Sequence, residues 1–133
     1  IKRFFLYGSL GWTMEVFWTG LGSLLQGNWQ LPAYTYLWMF PIYGLGAFFE
    51  TIHDKIRGLP WYLRGILWML LIFALEYNTG WLLASFLGRC PWDYGSNTPY
   101  SIHGWIRLDY APVWFVVGLI YEQIHDILDR IRI

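Results

Sequence analysis

Gly65-Ile66-Leu67-Trp68-Met69-Leu70-Leu71-Ile72-Phe73-Ala74-Leu75 carries no ionisable side chain, and the apolar character persists to Leu87. A helix that crosses a bilayer needs about 20 mostly apolar residues, so 65–87 reads as one transmembrane span. Working outward, the stretches 4–25, 36–53 and 110–128 have the same character. The expectation is an all-α integral membrane protein with four transmembrane helices, folded as a single membrane domain over 1–133.

Composition agrees. Of 133 residues, 56% are hydrophobic, 22% aromatic and 14% charged, whereas an ordinary soluble domain carries about 25% charged residues. A chain this short leaves much of its surface exposed, so lipid is its expected partner. A net charge of zero argues against nucleic acid. The lone Cys90 excludes an intramolecular disulfide and a CxxC zinc site.

Between the spans, Gln26-Gly27-Asn28 opens a turn, and 54–64 is a charged loop containing Gly58 and Pro60. The segment 88–109 holds Pro91, Gly95, Asn97 and Pro99 among Trp92, Tyr94, Tyr100 and Trp105. Tryptophan and tyrosine favour the membrane–water boundary, so this loop is expected to lie along it. Pro41 and Pro112 open spans two and four, where first-turn proline is tolerated. In a four-span topology Lys2, Arg3, Lys55, Arg57, Arg64, Arg130 and Arg132 share one side, with Arg89 and Arg107 on the other. The positive-inside rule then puts both termini in the cytoplasm of a plasma or inner membrane.

An internal repeat is visible. Glu50-Thr51-Ile52-His53-Asp54 recurs as Glu122-Gln123-Ile124-His125-Asp126, and Met14-Glu15 with Thr19-Gly20 echoes Leu75-Glu76 with Thr79-Gly80. Trp29 and Pro41 are echoed by Trp92 and Pro112. Two tandem two-helix repeats follow, 4–57 and 65–130, related as parallel repeats.

Gly11-Trp12-x-x-Glu15, Pro41-Ile42-Tyr43-Gly44, Glu76-x-x-Thr79-Gly80 and Cys90-Pro91-Trp92-Asp93-Tyr94 resemble the animal transmembrane protein 229 family and its bacterial relatives, described as type-IV ABC-transporter permeases. The likeness runs from Tyr7 to Glu122. It implies a multi-pass membrane protein of transport type. No GxxxxGK[ST] motif is present, so an ATPase is expected on a separate subunit.

The chemistry should lie in the carboxylates. Glu15 and Glu76 fall near the middle of spans one and three, where a charged side chain costs at least about 2.5–3.5 kcal/mol. Gly8, Gly11, Glu15, Thr19 and Gly22 form one helical stripe that turns Glu15 toward other helices. The leading expectation is a transporter-type or solute-binding protein in which Glu15 and Glu76 bind a proton or cation. Tyr43, Asn78 and Trp12 would line that site, and Asp93, among aromatic rings, would attract an organic cation. The structural alternative for the two glutamates is a neutral or hydrogen-bonded acid joining helices; for Asp93 it is a turn cap.

A second expectation, an enzyme, is a di-iron or di-manganese carboxylate bundle. Glu15 and Glu76 would join Glu50-x-x-His53 and Glu122-x-x-His125 as divalent-metal ligands on four helices. Depth opposes it: Glu15 lies roughly 16 Å from the cytoplasmic helix end and Glu50 about 10 Å, at 1.5 Å per residue. The simpler expectation for His53 and His125 is an exposed boundary position beside an aspartate. A third reading is a structural subunit. Four spans leave little room for a private pathway, so a homo-oligomer or larger membrane complex is expected throughout.

Overall fold

The computed structural model describes residues 1–95 and 98–133, which leaves the loop's Asn97 outside the described residues. Its helices are α1 (Lys2–Leu25), α2 (Met39–Gly44), α3 (Gly46–Ile56), α4 (Trp61–Leu87) and α5 (Ala111–Arg130). A two-stranded antiparallel hairpin, β1 (Ser101–Ile102) and β2 (Ile106–Arg107), precedes a 3-10 turn at Leu108–Tyr110. Ser101 pairs with Arg107 and Ile102 with Ile106.

Local chemistry explains the element ends. Gly27 follows α1 at φ +83° and Gly88 caps α4 at φ +83°, a left-handed conformation that glycine adopts without a Cβ clash. Pro60 immediately precedes α4 and Pro112 lies in the first turn of α5, where no intrahelical donor is lost.

The second expected span, 36–53, is not one helix. It divides at Leu45 into α2 and α3. Gly44 and Gly46 flank the division, and glycine is a weak helix former. The Phe48 amide donates to the Leu45 carbonyl at 2.9 Å, the tighter 3-10 pattern that accompanies such breaks. Among the described residues only α4 is long and apolar enough to cross a membrane by itself, with mean hydropathy 1.5. The expectation of four such helices is corrected to one. The others fall short for readable reasons: Lys2, Arg3 and Glu15 with several glycines dilute α1, α2 and α3 are short, and α5 ends in Glu122, His125, Asp126, Asp129 and Arg130.

The chain forms two compact units, Ile1–Glu50 and Thr51–Ile133. The division falls inside α3.

In the first unit α1 packs on α2. A Cβ on Gly11 would collide with the Tyr43 ring, one on Gly8 would meet the Phe40 carbonyl oxygen at 2.8 Å, and one on Gly44 would lie 2.7 Å from the Phe4 ring. Beyond Gly11 the stripe changes character. Gly22 has nothing within 4 Å, while the Ser23 hydroxyl donates to Pro32 O at 2.6 Å and Tyr34 N–H donates to the Thr19 hydroxyl at 2.9 Å. This half of α1 thus carries the irregular 31–36 segment.

In the second unit α4 packs on α5, with Gly65 against the Phe115 ring and Gly118 against Trp68. The hairpin rests on α4, where a Cβ on Gly80 would come within 3.1 Å of Trp105 Cβ. Buried apolar residues are few: Tyr7 and Met39 in the first unit, and Trp68, Phe73, Leu83, Cys90, Trp92, Ile106 and Leu128 in the second. The buried polar side chains are His53, Glu122 and His125, while Phe17, Leu25, Trp29, Phe48, Leu70 and Phe86 are exposed.

Candidate functional site

Glu15 is half-buried on α1, one turn beyond Gly11 on the same face. The missing side chain at Gly11 admits the Tyr43 ring, whose hydroxyl donates to Glu15 Oε1 at 2.8 Å. Thr35, from the 31–36 segment, donates to Oε2 at 3.0 Å. Trp12 is directed elsewhere: its indole N–H donates to Tyr36 O at 3.0 Å and its ring meets Phe40 at 4.9 Å.

Glu76 is half-buried on α4 and accepts the Tyr94 hydroxyl on Oε1 at 2.6 Å. Tyr94 comes from the Pro-Trp-Asp-Tyr element, where Trp92, Asp93 and Tyr94 each have a positioning contact. Trp92 donates its indole N–H to Trp105 O at 2.9 Å, and Tyr94 N–H donates to Gly104 O at 2.9 Å. Asp93 Oδ1 accepts the Gly95 N–H at 2.7 Å, which makes Asp93 the turn cap of the simpler expectation. Gly104 lies at φ +72°, and a Cβ there would collide with the Asp93 carboxylate. Asn78 points outward and donates to its own helix at Ala74 O, 2.6 Å, away from the Glu76–Tyr94 pair.

The other two glutamates are built on a different principle. Arg3 Nη1 donates to both Glu50 oxygens at 2.8 Å, and the Tyr7 hydroxyl donates to Oε1 at 2.6 Å. In the second unit Arg64 Nε donates to Glu122 at 3.1 and 3.0 Å, and the Trp68 indole N–H donates to Oε1 at 2.7 Å. Both units thus join an arginine, and an aromatic donor one turn later, to a carboxylate. These arginine partners, with Tyr94 and Thr35, were not deduced from sequence. One signal existed: in a helical hairpin the start of the first helix lies beside the end of the second, which sets Arg3 near Glu50 and Arg64 near Glu122.

His53 and His125 are not exposed boundary residues. They are 3% and 2% exposed, and their rings meet edge to face at 5.4 Å. Arg57, just beyond the end of α3, reaches Asp126 on α5 at 2.7 Å. His125 Nε2 lies 3.1 Å from Asp54 Oδ1. That hydrogen bond, helped by Arg57, holds the Asp54 carboxyl below its ordinary range against a smaller opposing effect of burial. Arg107 likewise holds Asp109 low and stacks on Tyr110 at 4.5 Å. Burial pushes the Cys90 thiol up to about 11, with Asp93 and Glu76 adding to the rise.

Glu50 and Glu122 are each engaged by an arginine, and among the described residues no group of three or more His, Cys, Asp and Glu is placed to hold a metal ion.

No solved structure matches the chain. The family described as "Putative ABC-transporter type IV" matches it over residues 3–131, nearly its whole length. A protein whose two long helices each carry one carboxylate capped by a tyrosine therefore belongs to that ABC-transporter family.

Proposed function

We propose that the chain is a membrane-embedded component of a transport system in which Glu15 and Glu76 bind a proton or a small cation. The observation that carries this reading is the contrast within each unit. Glu50 and Glu122 are each paired with a guanidinium group, Glu50 with a phenol hydroxyl besides; Glu15 is held by the hydroxyls of Tyr43 and Thr35, and Glu76 accepts that of Tyr94. A guanidinium has only donors and fixes a carboxylate in its charged form. A hydroxyl both donates and accepts, so it stays bonded when the acid takes up a proton. Tyr43 and Tyr94 suit carboxyls that change state.

The distribution of polarity supports the membrane setting. Buried polar groups and exposed large apolar side chains occur together, the reverse of what water selects. In this reading α1, α2 with α3, α4 and α5 make four crossings, and the lysine and arginine positions put both termini in the cytoplasm. The kinked second crossing is tolerated where other protein satisfies the freed backbone groups. Transport by an ABC-type system needs ATP hydrolysis, and with no phosphate-binding loop in these 133 residues it would come from outside them. Lipid and a homo-oligomeric or larger membrane assembly are the partners this implies.

Dicyclohexylcarbodiimide, which modifies protonated carboxyls in apolar surroundings, tests the reading on native membranes with mass-spectrometric mapping. Label is expected on Glu15 and Glu76, falling as pH rises, and absent from Glu50 and Glu122. Equal labelling of all four, or none on Glu15 and Glu76 at any pH, would sink the proposal.

A further inference from the structure

The end of α3 and the second half of α5 enclose ionisable groups that the Glu15 and Glu76 reading does not use. His53 is 3% exposed, and neither ring nitrogen makes a hydrogen bond of good geometry within the protein. Yet each nitrogen faces a carboxylate: Nδ1 lies 3.2 Å from Glu122 Oε1 and Nε2 lies 3.6 Å from Asp126 Oδ1. A neutral imidazole has one N–H and one lone pair. In that form one of the two nitrogens would set its lone pair near a carboxylate. Only the imidazolium carries a positive charge to set against both.

We propose that His53 is a proton-binding site separate from Glu15 and Glu76, where a proton held between Glu122 and Asp126 ties the end of α3 to α5.

The surrounding charges favour such a proton. From α3 comes Asp54 and from the residue just beyond it Arg57; from α4 come Arg64, through its pair with Glu122, and the Trp68 ring at 6.4 Å; from α5 come Glu122, Asp126 and His125. Asp129 reaches the group through His125, at 3.7 Å. The carboxylates Glu122, Asp126, Asp54 and Asp129 outnumber the guanidiniums Arg57 and Arg64, and a charged imidazole reduces the imbalance. His125 opposes a second positive charge at its ring distance of 5.4 Å but has Asp54 and Asp129 for its own compensation. The route in is short: Asp126 is 28% exposed and Glu122 is 2% exposed, with His53 between them. A proton arriving at Asp126 passes to Nε2, and its departure leaves the α3 end joined to α5 by Arg57 and the Asp54–His125 hydrogen bond.

The site stands on its own geometry and does not depend on the glutamate reading. Nitrogen NMR of the full chain in lipid nanodiscs, with ring-labelled histidine, reads it directly, the His53 signals being those lost in His53→Asn. The wild type is expected to show both His53 nitrogens protonated at acid pH and a single loss step as pH rises. Asp126→Asn should move that step to lower pH, while Asp109→Asn, on the exposed Arg107 pair, should leave it in place. One neutral tautomer throughout the range, or a step that Asp126→Asn does not move, would overturn the proposal.

Discussion

At the scale of single residues, the structure sorts the acids by their partners. Glu122 is 2% exposed and held by Arg64 and Trp68. Removing one partner of a buried pair leaves an uncompensated charge, a loss of about 3–5 kcal/mol. Arg64→Leu should therefore lower the thermal midpoint in detergent sharply, and a midpoint equal to wild type would show that the pair contributes little. The exposed Arg57 contacts Asp54 and Asp126 on the surface, where such pairs are worth about 0–1 kcal/mol, so Arg57→Gln should cost far less. Asp54 adds a pH dependence of definite sign. Its carboxyl is held below its ordinary range by His125, so its contribution is present above the unfolded value and fades as acid protonates it. Melting curves through the acid range should fall less steeply in Asp54→Asn than in wild type. Cys90, raised to about 11 by burial, should react with maleimide at neutral pH only after denaturation. Fast labelling of the folded chain would mean that the hairpin leaves it open.

At the scale of elements, the close crossings are set by glycine, at some positions and not at others. Gly11 admits Tyr43 and Gly118 admits Trp68, whereas Gly22 faces open space. Alanine at Gly11 or Gly118 overpacks a tight contact, typically about 1–3 kcal/mol. Alanine at Gly22 instead removes a weak helix former and should stabilise by up to about 1 kcal/mol. Opposite signs in a denaturation series are expected, and destabilisation by Gly22→Ala would show that the stripe is used along its full length. Gly11→Ala should also loosen Tyr43 from Glu15 and alter carbodiimide labelling there, linking the packing of α1 on α2 to the state of the acid. The Pro-Trp-Asp-Tyr element works similarly in the second unit, because the hairpin contacts of Trp92 and Tyr94 set the phenol on Glu76.

At the scale of the whole molecule, the prediction is the topology. Single cysteines at Lys55 and Lys2 in a Cys90→Ser background should react with an impermeant maleimide from the cytoplasmic side, and a cysteine at Trp29 only from the opposite side. Reaction of all three from one side would reduce the crossings to fewer than four. Much of the helix layout was legible in the chain: Gly65–Leu75 announced α4, and glycine and proline marked the ends of α1, α4 and α5. These follow from local chemistry, because apolar run length, helix periodicity and the conformational limits of glycine and proline belong to short stretches of sequence. The division of the second span at Leu45, the arginines on Glu50 and Glu122, Tyr94 on Glu76, and the burial of His53 and His125 did not emerge. Each depends on which distant side chain arrives at a carboxylate or a ring, and spacing along one helix carries no record of that. An exposed histidine beside an aspartate and a buried one between two carboxylates have the same sequence; tertiary packing decides between them, because the α3–α5 contact removes water and supplies the opposing charges.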